Sequence, residues 1–481
     1  MLLERLYHEG LAQASYLVGC QETGEAIVVD ANRDVDRYIR LAASRGLTLT
    51  HVTETHIHAD FVSGSRELAA RSGATLLLSG EGGADWHYAF ADASNATLLR
   101  GGDRFMIGNV RFDVVYTPGH TPEHLTFVVT DTKAGDRPVG AFTGDFIFVG
   151  DVGRPDLLER AADVKGSMRG AAAQLYASLG DFASRYPDYL QLWPGHGSGS
   201  ACGKALGAVP QTTLGYEKLV GWAFQAKSEP EFIDAVLEGQ PEPPKYFAVM
   251  KRVNREGPAP LGTPPASPRG DVVKLEKLLG DRATVVDIRE RRAFAAGYIP
   301  GTISMPLNKS FLSRAGWLLD YGRDIYVVTD ANDGGAARAA AFELALIGLD
   351  RVAGWFGDDA IEAWRSRGAL DTVPQVTPRE VAGNGARGYP TVIDVRNADE
   401  WEAGHIPGAL HAPLGRLLDR LQELQLSGRV VVQCQTGSRS SVAASLLRAR
   451  GVDAANLAGG MDAWEREGFP VTRNGASDSA R

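Results

Sequence analysis

Short apolar runs alternate with amphipathic stretches along the first 250 residues. The runs Ala26-Ile-Val-Val-Asp30 and Val110-Arg-Phe-Asp-Val-Val-Tyr116 predict β-strands, because they are short and rich in β-branched residues. Residues 35–45 and 64–71 carry the wider spacing that predicts helices. The alternation of the two patterns predicts an α/β fold for this part of the chain.

A proline-rich stretch ends this pattern. Five prolines lie between Glu256 and Gly270, where they remove backbone N–H donors and favour extended chain. The full length of 481 residues also suits about three domains better than one core. We therefore predict a domain over residues 1–250 and a linker over 251–270.

Beyond the linker the chain repeats itself at an offset of 107 residues. Two segments, each a strand or a turn in the predicted pattern, occur twice: Val286-Asp-Ile-Arg289 with Ile393-Asp-Val-Arg396, and Ala296-Gly-Tyr-Ile-Pro-Gly301 with Ala403-Gly-His-Ile-Pro-Gly408. Two matches at one offset indicate a duplicated domain. We place the copies at 271–372 and 373–475, followed by a tail at 476–481.

Charge and composition narrow the class of protein. The chain has a formal net charge of -9 and 44% apolar residues, which is typical of globular proteins without affinity for nucleic acid. The first residues show no signal-peptide core, and no apolar run reaches about 18 residues, so we expect no membrane partner. Three scattered cysteines favour a reducing compartment. We predict a cytoplasmic protein and leave open a homo-oligomer.

Five side chains with metal-ligand chemistry follow predicted strands or tight turns. His56 and His58 flank Ile57 at the end of an apolar segment, and Asp145 ends another. His120 and His196 each follow a Pro-Gly turn. A single histidine in such a turn is more often a hydrogen-bonded turn residue. The four segments together, in this order, indicate a metal site.

This order resembles the metallo-β-lactamase superfamily, over about residues 1–245. The resemblance implies an αββα fold and a motif His-x-His-x-Asp-His, of which Thr55-His-Ile-His-Ala-Asp-Phe61 lacks the last histidine. Glyoxalase II-like hydrolases of this superfamily use that histidine to hold a second metal. Phe61 therefore predicts a mononuclear site.

The resemblance assigns His56, His120 and Asp145 as metal ligands. Two histidines and one carboxylate form the facial set that suits non-haem Fe(II) with open positions for substrate and O₂. The persulfide dioxygenases of the superfamily look like this, which implies one Fe(II) per chain as cofactor.

The remaining ligand-type residues have two interpretations. His58, Asp60 and His196 either orient the ligands and bind substrate, or form a partly occupied second metal site. His124 has the simpler interpretation of a histidine packed in a strand.

A second centre is predicted at Cys434. A buried strand runs into Cys434-Gln-Thr-Gly-Ser-Arg439 and then into a helix over about 441–450. Backbone N–H groups of such a loop, the helix N-terminus and Arg439 favour a thiolate. With its flanking motifs the segment resembles the rhodanese family of sulfurtransferases, over about 374–475. The resemblance implies that Cys434 accepts sulfur, with Arg439 assisting and a cradle formed by Gln435, Thr436, Gly437, Ser438 and Ser440.

The first copy of the repeat departs from the rhodanese pattern. Asp330 takes the place of the cysteine after the strand Ile325-Tyr-Val-Val-Thr329, so this copy cannot form a persulfide. We interpret it as an inactive rhodanese-like module that packs against or spaces the other domains.

Cys202 follows His196 by six residues in a glycine-rich segment. A turn anchored at the metal pocket could bring its sulfur near the substrate, with Lys204 favouring a thiolate. Catalytic and non-catalytic roles stay open. Fusions of a persulfide dioxygenase with a degenerate and an active rhodanese domain resemble the entire chain.

The resemblances together imply an enzyme of sulfide oxidation. It would oxidise a low-molecular-weight thiol persulfide with O₂ to sulfite, and Cys434 would make or use thiosulfate as a sulfurtransferase. The alternatives are a dinuclear zinc thioester hydrolase of the glyoxalase II type, fused to a sulfurtransferase, and a passive relay that only carries sulfur.

Overall fold

The structure is a computed structural model. The predicted tail and residues 263–266 of the predicted linker lie outside the residues that it describes. It describes residues 1–157, 167–240, 242–262, 267–383, 391–426 and 428–473. Contacts divide the chain into two compact units, 1–264 with 345–348, and 265–344 with 349–481. No helix in the described part of the chain is long and apolar enough to cross a bilayer.

The first unit contains two six-stranded sheets. In the first sheet the strands follow chain order, antiparallel through β3 and parallel from β3 to β6. Its strands are β1 Leu2–His8, β2 Gln13–Cys20, β3 Glu25–Val29, β4 Thr48–Thr53, β5 Thr75–Ser79 and β6 Thr97–Leu99. The second sheet has the order β12-β11-β10-β9-β8-β7, in which only β10 and β11 are parallel. Its strands are β7 Arg104–Ile107, β8 Val110–Tyr116, β9 Leu125–Asp131, β10 Gly140–Gly144, β11 Gln191–Pro194 and β12 Thr212–Thr213.

Helices cover the outer face of each sheet. The described helices of this unit are α1 Val35–Ser44, α2 Ser65–Ser72, α3 Met168–Arg185, α4 Leu214–Val220, α5 Trp222–Gln225, α6 Glu229–Leu237 and α7 Tyr246–Glu256, with 3₁₀ turns at Ala84–Trp86 and Asp92–Ser94. Tyr38 of α1 packs on the first sheet and Leu175 of α3 on the second. Between the sheets, Tyr16 and Phe142 lie in one shared core. The unit is therefore the αββα sandwich that the sequence predicted.

Helix α7 extends into the predicted linker. It ends at Glu256, so residues 251–256 are helical rather than extended. The first proline of the stretch is Pro258, and a helix usually ends at or before the residue that precedes a proline. The first six residues of the predicted linker are therefore helical, and the prolines begin two residues after the helix ends.

The second unit contains two modules, each built on a parallel sheet. The first has strand order β14-β13-β15-β16 and the second β17-β21-β20-β18-β19. The strands are β13 Thr284–Asp287, β14 Ile303–Ser304, β15 Ile325–Val328, β16 Val352–Phe356, β17 Gln375–Val376, β18 Thr391–Asp394, β19 Leu410–His411, β20 Val430–Gln433 and β21 Ala454–Leu457. The predicted repeat is thus two related α/β modules.

The helices of this unit include one that joins the modules. They are α8 Val272–Gly280, α9 Arg291–Ala296, α10 Phe311–Leu318, α11 Gly335–Leu346, α12 Asp358–Arg365, α13 Pro378–Gly383, α14 Ala398–Ala403, α15 Leu417–Arg420, α16 Ser438–Arg448 and α17 Gly460–Arg466, with a 3₁₀ turn at Leu414–Arg416. Phe294 of α9, in the first module, is buried in a core that contains Val432 and Leu446 of the second. The two modules therefore share apolar core.

Candidate metal and thiol centres

Strand ends bring the predicted ligands together. His56 follows β4, His120 lies in the loop after β8, and Asp145 directly follows β10. Their ligand atoms all lie within 4.8 Å of one another, and all three residues are buried. His120 Nε2 is 3.5 Å from Asp145 Oδ2, and His56 Nε2 is 3.9 Å from the same oxygen. The structure thus places the predicted ligand set at one point.

Hydrogen bonds fix the orientation of both imidazoles. His120 Nδ1 lies 3.0 Å from the Arg154 carbonyl, which can only accept, so Nδ1 carries the proton and Nε2 presents its lone pair. His56 Nδ1 lies 2.9 Å from Thr55 Oγ1, whose hydroxyl in turn donates to Asp30. Burial lowers the pKa of both His56 and His120, which keeps the imidazoles neutral, as metal binding requires.

The carboxylate of Asp145 fits a bound cation. Both of its oxygens are buried, and apart from the neighbouring Cys202 thiol they have no hydrogen-bond partner among the described residues. A buried carboxylate with so few partners is costly, and a metal ion is the partner that two neutral imidazoles and one carboxylate suit. His124 holds the site from behind, because its Nε2 accepts the backbone N–H of Asp145 at 3.2 Å. This is a structural role, in line with the simpler interpretation of His124.

A glycine allows the two sheets to meet at this cluster. Gly144 has φ +48°, in the left-handed region, and a Cβ there would lie 2.4 Å from Thr55 Oγ1 and 2.9 Å from His124 Nε2. Any larger residue would push apart the segments that carry His56 and Asp145.

His58 does not join the metal cluster. Its Nε2 lies 3.2 Å from Asp30 Oδ1, and its ring packs on Phe61. Burial alone would lower the pKa of His58, but the Asp30 carboxylate outweighs burial and raises it to about 9. His58 is thus a charged partner of Asp30, a residue that the sequence analysis did not single out. Asp30 directly follows β3, which pairs in parallel with β4, so its position at the strand end beside the histidine segment was a signal in the sequence.

A second buried cluster adjoins the first. Ligand atoms of Asp60, His196 and Cys202 lie within 4.8 Å of one another. His196 Nε2 is 3.3 Å from Asp60 Oδ2 and 3.5 Å from Asp145 Oδ1. This cluster holds two of the three residues that the sequence left between substrate contact and a second metal site, Asp60 and His196, and it adds Cys202 to them.

Cys202 is a protonated thiol in this environment. Burial raises its pKa well above the usual value, and the Asp60 and Asp145 carboxylates raise it further. The prediction that Lys204 favours a thiolate is wrong, because Lys204 Nζ donates to the Ala235 carbonyl and lies over the Trp222 ring. The positive charge of Lys204 therefore contacts the Ala235 carbonyl and the Trp222 ring and not the Cys202 sulfur.

Arg154 has a structural role. Its guanidinium forms a two-pronged ion pair with Asp156, with both contacts at 2.7 Å, and it is fully buried. A buried, two-pronged pair of this kind stabilises the loop that carries it.

The cysteine loop lies between β20 and α16. Cys434 directly follows β20 and is 1% exposed, and its sulfur lies 3.4 Å from Ser440 Oγ, whose hydroxyl donates to Asn456 Oδ1 at 2.6 Å. Helix α16 starts at Ser438, three residues earlier than predicted, because Gly437 takes φ +86° and turns the chain directly into the helix. Gly460 is required on the other side, since a Cβ there would lie 2.0 Å from the Cys434 carbonyl oxygen.

The predicted loop residues have distinct partners. Arg439 forms a two-pronged ion pair with Glu400, with both contacts at 2.6 Å. Burial acts to lower the pKa of Arg439, but hydrogen bonds to Glu400 outweigh it, and the Cys434 sulfur raises it as well. Gln435 accepts from Arg396 at 3.1 Å. Arg439 therefore brings a fixed positive charge near the sulfur through Glu400.

The loop also has a partner that sequence reasoning missed. Arg314, on α10 of the first module, donates to Ser438 Oγ at 2.8 Å. In that first module Asp330 occupies the cysteine position and is exposed. Arg314 and Ser438 are 124 residues apart, so no local pattern connects them.

The chain contains an αββα domain with a buried cluster of metal-ligand residues. It also contains two parallel α/β modules, and one of them carries a strand–cysteine–helix loop. The protein therefore combines a candidate metal centre with a candidate thiol centre. Models of two families match the chain: the metallo-beta-lactamase superfamily over residues 8–196, and the rhodanese-like domain over 271–366 and again over 377–467. The chain belongs to the metallo-β-lactamase superfamily, in the fusion architecture that adds two rhodanese-like domains.

Similar proteins include members with different chemistry. The persulfide dioxygenase ETHE1, mitochondrial, of Bos taurus is 28% identical over 41% of this chain and 68% of its own. The hydroxyacylglutathione hydrolase of Polaromonas sp. is 28% identical over 41% of this chain and 66% of its own. The chain thus spans about two thirds of each relative. A crystal structure of a metallo-beta-lactamase from Staphylococcus aureus subsp. aureus COL has 41% identity and a TM-score of 0.67, covering 74% of this chain and 99% of that one.

Proposed function

We propose that this protein is a non-haem Fe(II) persulfide dioxygenase coupled to a rhodanese sulfurtransferase. The dioxygenase step belongs to residues 1–250 and the sulfurtransferase step to 373–475. The observation that carries the proposal is the cluster of His56, His120 and Asp145, with Phe61 at the position where a dinuclear site would place a further histidine. Similarity to persulfide dioxygenases supports the same reaction.

The residues around the metal position would hold the ligand side chains in place for the metal. When bound, Fe(II) supplies neighbouring positions for the persulfide sulfur and O₂. The Arg154 carbonyl and Thr55 keep the two imidazoles in the ligand orientation, and His124 holds the backbone of Asp145. Cys202 offers a neutral S–H next to this position. One persulfide, one O₂ and one water give one sulfite and the free thiol.

The cysteine loop carries sulfur as a persulfide. The Cys434 thiolate attacks the outer sulfur of thiosulfate, the S–S bond breaks, and sulfite leaves with the electron pair. In the reverse direction, sulfite attacks the outer sulfur of the Cys434 persulfide and releases thiosulfate and the thiolate. The charge of Arg439 stabilises the anionic sulfur in both states. We place both steps in the cytoplasm, where all three free cysteines stay reduced.

An oxygen electrode tests the first reaction directly. Iron-loaded protein supplied with a thiol persulfide should consume O₂ and produce sulfite over many turnovers. Turnover excludes a passive sulfur relay, since a carrier stops after one equivalent.

A dinuclear zinc thioester hydrolase is the second candidate. The cluster of Asp60, His196 and Cys202 near Asp145 favours it, because these residues could hold a second cation. The similarity to a hydroxyacylglutathione hydrolase supports it as well. Zinc-loaded protein would then hydrolyse a glutathione thioester and consume no O₂.

A further inference from the structure

A cavity of about 460 Å³ lies between the two modules of the second unit. Its wall on one side is formed by Arg291 and Arg292 of the first module, and on the other by Thr436 and Gly437 of the cysteine loop. Asn456 also lines it, and its Oδ1 lies 2.6 Å from the Ser440 hydroxyl that contacts Cys434. The cavity is therefore a neighbour of the sulfur site and is built half from the module without a cysteine.

The two arginines give this cavity a positive charge. Arg291 is half-buried and Arg292 is exposed, and within the described residues neither guanidinium pairs with a carboxylate. Arginine presents a planar set of donors that matches carboxylate, sulfonate and phosphate groups. The cavity thus presents two guanidinium groups to an anion, and within the described residues neither group forms an ion pair with the protein.

Arg314 extends the positive charge to the loop itself. It is 8% exposed and donates to Ser438 Oγ at 2.8 Å. Burial lowers its pKa, the Cys434 sulfur acts to raise it, and the nearby Arg439 and Arg291 act to lower it. Arg314 is thus close enough to interact electrostatically with Cys434, Arg439 and Arg291.

Polar contacts hold the modules in this arrangement. Arg448 of α16 donates to both oxygens of Asp371, at 2.9 and 3.0 Å, and to the Tyr298 hydroxyl at 3.0 Å. The Ser304 N–H donates to Ser445 Oγ at 2.9 Å. Together with the shared core at Phe294, these contacts fix α9 next to the cysteine loop.

We propose that the module without a cysteine supplies the anion-binding half of the sulfurtransferase site. In this assignment Arg291 and Arg292 bind the anionic group of the sulfur compound that reacts at Cys434, and Arg314 is a positioning residue for the loop. The inference rests on the proposed sulfurtransferase function. It replaces the interpretation of this module as packing or spacing alone.

The ligand class follows from the charge and size of the cavity. Thiosulfate carries a sulfonate-like group, and a thiol such as glutathione carries carboxylates, so both present oxyanions to the arginines. A volume of about 460 Å³ exceeds the need of thiosulfate and leaves room for a peptide-sized thiol. In the transfer step, Cys434 bonds to the outer sulfur and the S–S bond breaks. The electron pair leaves on the sulfite or thiolate, whose charge Arg291 and Arg292 stabilise.

Alkylation of Cys434 tests this assignment without relying on enzymatic turnover. Full-length protein is treated with anionic iodoacetate or neutral iodoacetamide, and modification of the Cys434 peptide is followed by mass spectrometry. For the double variant Arg291→Ala/Arg292→Ala we expect iodoacetate to react about fivefold or more slowly, from the lost attraction of one negative charge to two positive ones. The iodoacetamide rate should stay the same, which also shows that the loop is still folded.

The control removes equal charge from the same module outside the cavity. Arg365 and Arg367 are exposed and pair with Glu362 and Glu276. The double variant Arg365→Ala/Arg367→Ala should leave both rates unchanged, and Arg291→Lys/Arg292→Lys should restore most of the iodoacetate rate. An unchanged iodoacetate-to-iodoacetamide ratio in the alanine variant, or the same loss in the control, overturns the inference.

Sulfur transfer provides the second measurement. With thiosulfate and with a glutathione persulfide, the Arg291→Ala/Arg292→Ala variant should show a KM raised about fivefold or more, with kcat changed less. A larger effect on the glutathione persulfide identifies the peptide thiol as the occupant, and an equal effect identifies the small oxyanion. Wild-type protein without sulfurtransferase activity would refute the proposed function, while the alkylation ratio would still decide the anion site.

Discussion

The ring of Phe61 packs on the imidazole of His58, with 4.4 Å between the ring centroids. On its polar side, the same imidazole contacts Asp30, with Nε2 at 3.2 Å from Oδ1. His58 is therefore held between an apolar ring and a carboxylate. This relationship explains in physical terms why the first histidine motif contributes His56 alone to the metal cluster.

Replacing Phe61 tests whether this residue limits the metal content. The Phe61→His variant adds an imidazole directly after Asp60, where the dinuclear motif has one, so its metal stoichiometry should rise from one toward two per chain. Elemental analysis of anaerobically purified protein measures this. Phe61→Leu keeps an apolar side chain and should stay at one. Two metals in the wild type would refute the argument from Phe61.

Asp145 should be required for metal and for oxygen uptake. The Asp145→Ala variant loses the carboxylate of the ligand set, and we expect it to bind little iron and to consume O₂ at least about a hundredfold more slowly. Thiosulfate sulfurtransferase activity should persist and serves as the folding control. Full oxygen uptake in this variant would exclude the assigned ligand set.

The two centres should fail independently. Cys434→Ser should abolish sulfur transfer, because a hydroxyl cannot form the persulfide, and should leave iron content and O₂ uptake largely intact. Parallel assays on one preparation measure both. Equal loss of the two activities would show that they do not occur at separable sites.

Cys202 should affect the rate of the oxygenase and not its metal content. Its protonated thiol lies beside Asp60 and Asp145, so Cys202→Ala should lower kcat for O₂ uptake at least about tenfold with iron unchanged. Cys20→Ser is the matched control, since Cys20 is also buried and accepts a hydrogen bond from Asn109, which serine can keep. Unchanged kcat in the Cys202 variant would leave this thiol a structural role.

The ion pair between the modules should make stability depend on pH. Burial acts to raise the pKa of Asp371, but Tyr298 and Arg448 outweigh it and hold the pKa below the usual carboxyl value. The stabilisation is therefore complete above about pH 4, the usual value, and is lost as pH falls through the lower folded-state value.

Urea unfolding of Asp371→Asn measures this contribution. Since the Asp371 side chain is 38% exposed, solvent screening limits the effect to less than about 1 kcal/mol at neutral pH. The difference from wild type should shrink toward pH 3. A difference that is constant down to pH 3 would show that the charge of Asp371 does not contribute.

Motifs carried by single segments were predictable from the sequence, and partners from distant segments were not. His56, His120 and Asp145 each follow a strand or turn with a recognisable pattern, and Cys434 lies in a recognisable loop. Asp30 has no such motif, because its role depends on a neighbouring strand.

The role of the first module was harder to predict for the same reason. The loss of the cysteine at Asp330 pointed to inactivity, whereas the contribution of Arg314 depends on packing between modules. A repeat in sequence reports common ancestry and fold, and it does not report which side chains one copy places in the site of the other. Only the folded chain brings Arg291 and Arg292 next to Thr436.

The central claim is a single ferrous ion that supports oxygen chemistry at His56, His120 and Asp145. Metal content and O₂ uptake with a thiol persulfide, determined on one anaerobically prepared sample, test it most directly. The account predicts one iron per chain and one O₂ consumed for each sulfite formed. Two zinc ions per chain with no oxygen uptake would contradict it.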